Sequence, residues 1–260
     1  MYQTLEIERS GKIATIWMNR PAVFNAFDEQ LIAELAAACG ELDADPTVRV
    51  VVLGGRGKHF SAGADLNWMK RAAQFTPQQN LDDARRFADM LRALAQMGKP
   101  TIARVQGAAL GGGTGLTAAC DMAIADTTAT FSTSEVKFGI IPSAISPYVL
   151  RAIGPRHALR YFQSAERIGA ERALAIGLVG EVVPLDELDA AVAQLADALL
   201  QGGPQAQKAA KELIGAVAGQ PIDAALSEET AQRIARQRAT AEARDGIAAF
   251  LDKRPPAWLD

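Results

Sequence analysis

Residues 48–55, VRVVVLGG, form an apolar, largely β-branched run that ends in two glycines. A strand without polar alternation has no face to offer to water, so both of its faces must be covered. Two shorter runs, TIARVQ (101–106) and DMAIA (121–125), each follow a helical stretch. Repeated alternation of buried strand and helix is the pattern of an α/β core with a largely parallel sheet.

Local signals bound the neighbouring elements. TLEIERSGKIATIW (4–17) alternates around Ser10-Gly11, which predicts a β-hairpin, and Asn19-Arg20-Pro21 ends it in a turn. Asp28 is the expected N-cap of a helix with Leu31, Leu35, Ala38 and Leu42 on one face, closed by Asp45-Pro46. Thr76 and Pro77 predict the start of a second long helix with an apolar stripe of Leu81, Ala84, Phe87, Ala88, Leu91, Leu94 and Ala95, stopped by Lys99-Pro100. TIARVQGAAL (101–110) reads as one strand running into a helix. A short helix stopped at Gly177 precedes the strand of GEVVP, and beyond it lie helical patterns broken by Gly and Pro. At 260 residues this is an α/β core over residues 1–195 with a helical region over residues 196–260.

Hydrophobic and charged contents of 49% and 22% are ordinary for a globular protein, and a net charge of −3 provides no basic surface for nucleic acid or an anionic membrane. No apolar run approaches the roughly 20 residues of a spanning helix. The N-terminal stretch lacks the charged, apolar and small-residue regions of a signal peptide, so a cytoplasmic location is expected. Cys39 and Cys120 sit in alanine-rich helical contexts without CxxC or Cys/His pairing; they read as buried thiols, and no metal site is expected.

Two glycine-containing loops each follow a buried strand: Ser61-Ala62-Gly63-Ala64-Asp65, and Gly111-Gly112-Gly113 within GAALGGGTGL (107–116). The second is either a permissive turn or a device that aims backbone N–H groups at an anionic oxygen. Two such groups converging from separate loops make an oxyanion hole, worth roughly 3–4 kcal/mol per donor. Glu135, a lone carboxylate in FSTSEVKFGIIP (131–142), could then move a proton at a carbon beside the polarised carbonyl.

FSAGADL (60–66), GAALGGGTGL, SEVKFGIIP (134–142), ALAIGLVGEVVP (173–184) and AAFLDKRPPAW (248–258) together resemble the crotonase superfamily of enoyl-CoA hydratases and isomerases over essentially the whole chain. SAGADLNWMKR with LDDAR, Gly115 and the Ile145-Ser146-Pro147 tripeptide look most like the bacterial methylglutaconyl-CoA hydratase branch, which is also similar to the hydratase for isohexenylglutaconyl-CoA. The resemblance implies a ClpP/crotonase-like spiral of ββα units with a C-terminal helical trimerisation region, assembling as a trimer or hexamer. It implies an acyl-CoA thioester substrate, with coenzyme A part of that substrate and no separate cofactor. By the same resemblance, the N–H groups of Ala64 and Gly112 form the oxyanion hole and Glu135 is catalytic. Ala62, Asp65, Leu66 and Asn67 line the CoA loop, and Phe250 and Lys253 reach the CoA nucleotide, often from a neighbouring subunit.

One position departs from the pattern. Many hydratases of the family hold water between two glutamates, and Gly115 stands at the earlier of these positions, while SAISPY (143–148) replaces a glycine-rich run. Glu135 alone, with Ser143, Ser146 or a backbone group positioning water, is the expected hydratase arrangement. A Δ3-Δ2-enoyl-CoA isomerase and a non-catalytic CoA-binding protein are the alternatives. Asp65 reads as a helix N-cap rather than an acid-base group, Asp121 as a structural acceptor, Lys70 and Arg71 as a solvated helix face, and His59 as a loop residue. Trp68 and Met69 fit an acyl wall or helix packing equally well. Ser61, Ser132, Ser134 and Ser143 lack a GxSxG elbow, which argues against a serine hydrolase.

Overall fold

The computed structural model describes residues 2–259. Its strands are β1 (Leu5–Ser10), β2 (Ile13–Met18), β3 (Val50–Gly55), β4 (Thr101–Val105), β5 (Ala108–Leu110), β6 (Met122–Asp126), β7 (Thr130–Ser132), β8 (Ile168–Gly169) and β9 (Glu181–Val183). Its helices are α1 (Glu29–Ala44), α2 (Leu66–Ala72), α3 (Pro77–Ala95), α4 (Gly112–Ala119), α5 (Ser146–Ser164), α6 (Ala170–Ala175), α7 (Leu188–Leu200), α8 (Pro204–Val217), α9 (Ala224–Arg238) and α10 (Ala241–Asp252).

The main sheet has the order β1-β2-β3-β4-β6-β9; β1 and β2 pair antiparallel through the expected hairpin, and the remaining pairs are parallel. β3 is buried along its whole length, as its unbroken apolar run requires. One face of the sheet packs on α1, α3 and α4, with Leu31, Leu35, Leu91 and Leu94 in the core; α7 covers the other face through Leu188, Val192 and Ala196. The Asp28 carboxylate accepts from Leu31 N–H at 2.9 Å, and Thr76 and Gln79 form a reciprocal capping box at the start of α3.

The second sheet, β5-β7-β8, corrects the reading of TIARVQGAAL as one strand. Gly107 takes φ +58°, which turns the chain out of the main sheet, and residues 108–110 pair with β7 instead. β1-β2-α1, β4-β5-α4 and β6-β7-α5 are thus three ββα units, and an isolated bridge between Ser61 and Ala109 supplies the equivalent of a second strand after β3. The α3 stripe is also shorter than expected: Leu81 and Ala84 are exposed, whereas Met90 and Met97 enter the core. No described helix is long and apolar enough to cross a membrane.

Candidate active site

The loops after β3 and β5 meet backbone to backbone beyond the carboxyl ends of the main strands. A Cβ on Gly63 would stand 2.9 Å from the Leu110 carbonyl oxygen, so no side chain fits between them. Phe27 fastens the first loop: its N–H donates to Gly63 O at 2.7 Å, and its carbonyl accepts from Asp65 N–H at 2.8 Å. In a trans peptide the C=O and N–H point opposite ways. Drawing Gly63 O towards Phe27 therefore turns the Ala64 N–H outward.

The second loop works by helix geometry. Gly111 O accepts from Gly115 N–H at 3.1 Å in the first turn of α4, which leaves the Gly112 N–H pointing out of the helix N-terminus. Neither the Ala64 nor the Gly112 N–H donates to an acceptor among the described residues. Room, as well as direction, demands glycine at 112: a Cβ there would lie 2.9 Å from ring atoms of both Phe27 and Phe87. Those rings stack edge to face at 5.6 Å, and Trp68 packs on Phe87 at 6.5 Å, so an aromatic wall adjoins the two donors. The Trp68 indole N–H is buried without a partner.

Glu135 opens a 3₁₀ turn (Glu135–Phe138) shortly after β7. Its Oε1 lies 3.2 Å from where a Cβ on Gly111 would stand, which puts the carboxyl beside the second loop. Its Oε2 is buried with no hydrogen-bond partner. Burial pushes the carboxyl above the usual glutamate range, only partly opposed by a hydrogen bond from its own backbone. A carboxylate with raised proton affinity is the stronger base.

Other side chains hold this arrangement. Asn25, fully buried with φ +56°, donates to the carbonyls of Arg56 and His59 at 2.9 Å each, and its own carbonyl accepts from the Ser61 hydroxyl at 2.8 Å. His59 Nδ1 accepts from Ala108 N–H at 3.0 Å, so this histidine joins the loop to β5. Asp65 caps α2 through Asn67 and Trp68 N–H and pairs with Arg20 at 3.1 Å. Burial raises its proton affinity, but those donors outweigh it and hold the carboxyl below its usual range. Asp65 is thus engaged in holding the loop. Asn25, Phe27 and Arg20 were not singled out from sequence as site residues; a buried-type asparagine between two phenylalanines, FNAF (24–27), is the signal that marks the first two.

Ala62 N–H donates to Phe24 O at 2.9 Å, while Leu66 and Asn67 project from the first turn of α2 into solvent beside Ala64. Arg71 is held by Glu29 at 2.6 Å, and Lys70 beside it is exposed. The Ser146 hydroxyl donates to Ser143 O at 2.7 Å and so is used within its own turn. Gly115 has no space for a side chain: a Cβ would stand 2.2 Å from Ile145 Cγ2 and 2.8 Å from Ile145 Cβ.

Phe250 and Lys253 are not brought to this site within one chain. The C-terminal helices are anchored at the amino ends of the parallel strands, where Lys12 donates to Trp258 O at 3.0 Å, Arg49 donates to Gly202 O, and Lys211 pairs with Asp121 at 2.9 Å. Ala64 and Gly112 follow the carboxyl ends. Phe250 and Lys253 belong to α10 and its C-cap, towards the opposite edge, and both are exposed.

Residues 8–260 match the family Enoyl-CoA hydratase/isomerase. A crystal structure of an enoyl-CoA hydratase from Shewanella pealeana is 41% identical and superposes with a TM-score of 0.96 over 98% of this chain and 96% of that one. The short-chain-enoyl-CoA hydratase of Clostridium acetobutylicum is 34% identical over 254 residues, 95% of this chain and 94% of that relative. The 2,3-dehydroadipyl-CoA hydratase of Escherichia coli K12 is 33% identical over 253 residues, 97% of each. The α/β architecture of ββα units is therefore the crotonase fold. The chain belongs to the enoyl-CoA hydratase/isomerase family and is an enzyme of it.

Proposed function

We propose that the enzyme adds water across the α,β double bond of an enoyl-CoA thioester, with the Ala64 and Gly112 N–H groups holding the thioester oxygen and Glu135 as the single proton carrier. The observation that carries this reading is two unpartnered N–H groups beside one buried carboxyl whose Oε2 has no partner. The oxygen of water bonds to the β-carbon while the π electrons move towards the α-carbon and the thioester oxygen. Glu135 takes a proton from the water and delivers it to the α-carbon. The sum is H and OH added, with no redox step and no separate cofactor.

The preferred acyl group is methylglutaconyl-like or isohexenylglutaconyl-like. SAGADLNWMKR, Gly115 and Ile145-Ser146-Pro147 support it, as does a relative named for 2,3-dehydroadipyl-CoA, itself the thioester of a dicarboxylic acid. Ala62, Asp65, Leu66 and Asn67 receive CoA from the same chain, and Phe250 and Lys253 from a second copy in a homotrimer or hexamer. The exposed Ile214, Ile234, Ile247, Phe250 and Leu251 on α8–α10 support such an assembly, because apolar side chains gain by being covered. The single carboxyl also favours a second reading, a Δ3-Δ2-enoyl-CoA isomerase.

Incubation with 3-methylglutaconyl-CoA and, separately, with a 3-enoyl-CoA tests the assignment. A hydroxyacyl-CoA product supports hydration. A shifted double bond without added water supports isomerisation. Hydroxyacyl-CoA from neither thioester overturns the hydration reading.

A further inference from the structure

Gly111, the non-helical N-cap of α4, and Gly115, in its first turn, stand about one turn or 5 Å apart, and an ideal Cβ at each points to a different neighbour. The direction at 111 meets Glu135 Oε1, and the direction at 115 meets Ile145. One turn along α4 from the point where Glu135 meets Gly111, the space beside the helix is filled by a branched alkyl group. Gly115 is buried, inside a regular helix and without a positive φ, so backbone conformation does not require glycine. What requires it is Ile145, 2% exposed at the N-cap of α5.

We propose that Ile145 is the specificity-determining residue that keeps this acyl site to one proton-carrying group: seated on Gly115, it occupies the volume any side chain at 115 would need and makes the flank next to Glu135 apolar. Water and acyl group are then engaged by a carboxyl from one side only. Gly115 and Ile145 form a coupled pair in which neither changes alone without loss. The catalytic half of this inference rests on the hydratase reading; the packing half does not.

Thermal unfolding of the full-length protein and the variants Gly115→Ala, Ile145→Gly and Gly115→Ala/Ile145→Gly tests the packing half. Alanine normally stabilises a helix interior relative to glycine. Here Gly115→Ala should instead lower Tm by about 3 °C or more, as overpacked cores do. In the Ile145→Gly background the same exchange should leave Tm unchanged or raise it. Insolubility of Gly115→Ala, relieved in the double variant, supports the pair equally. A Gly115→Ala protein at least as stable as wild type, or crystals of it with Ile145 unmoved, overturns the pair.

For the catalytic half, the pH profile of kcat/KM is compared between wild type and Gly115→Glu/Ile145→Gly. Wild type should show one carboxyl ionisation and the double variant two; a double variant that keeps a single ionisation overturns the role given to Ile145. If Glu135→Gln retained activity, the hydratase reading would fail while the Tm cycle still decided the packing pair.

Discussion

Exchanging Glu135 for glutamine replaces one carboxyl oxygen with an amide group and keeps the shape, so the variant separates charge from packing. Oε2 has no hydrogen-bond partner to lose. If this group alone moves the proton, hydration should slow by at least about 100-fold, or about 2.7 kcal/mol of barrier. Stability should move the other way. The folded protein holds the Glu135 proton more tightly than the unfolded chain does, because burial disfavours the carboxylate. The native state therefore binds more protons through that interval, and wild-type stability falls as pH rises through the raised value. Glu135→Gln lacks this loss. Its stability relative to wild type should improve as pH rises and approach a constant difference below the usual carboxylate range. Loss of enoyl-thioester absorbance reads the rate, and urea unfolding at several pH values reads the stability. Wild-type hydration should also fail as pH drops through the raised value, where the base becomes protonated. A variant that kept more than about a tenth of the wild-type rate would refute the role of Glu135. A Glu135→Gln protein that lost stability relative to wild type as pH rose would refute the reasoning from burial.

Three other perturbations reach different parts of the molecule. Asp121→Ala removes the carboxylate that accepts from the Thr101 N–H and hydroxyl and pairs with Lys211, so it should destabilise by about 2–3 kcal/mol and lower the urea midpoint. Burial pushes Glu34 up, but hydrogen bonds from Thr4, Gln3 and Gln30 outweigh it and hold the carboxyl at about 2. Its stabilisation should be complete above the usual glutamate range and fade as pH falls towards about 2, so unfolding curves of wild type and Glu34→Gln should converge in acid. If α10 completes the CoA site of a neighbouring copy, separately inactive Glu135→Gln and Lys253→Glu chains, unfolded and reassembled together, should recover up to about a quarter of wild-type activity through statistically intact sites. No recovery in confirmed mixed oligomers would place both residues on one copy's site.

Local chemistry is what the sequence made readable. Asp28, Asp65 and Thr76 are legible as caps because each acts on amides two or three residues away. The burial of β3 follows from composition alone. The turn at Gly107 was not legible, because what ends the strand is pairing with residues 130–132, a partner that no local pattern announces. Leu81 fits the helical stripe by spacing yet lies beyond the elements that could cover it. At Gly115 the sequence showed an absent side chain; only tertiary packing revealed Ile145 as what fills the space. The two donors are invisible as side chains, and the aim of the Ala64 N–H depends on Phe27, a residue 36 positions before Gly63.

That dependence separates two design problems. The spacing of the Ala64 and Gly112 amides is held by main-chain contact between Gly63 and Leu110 and by bonds to the Phe27 backbone, whereas Trp68 stands on α2 and Ile145 at the N-cap of α5. If Trp68 walls the acyl group as well as packing on Phe87, a library that varies it would recut the substrate range while the main-chain bonds that hold the two amides stay in place. Selection on new thioesters could then begin from a preorganised electrostatic centre that the mutations leave alone.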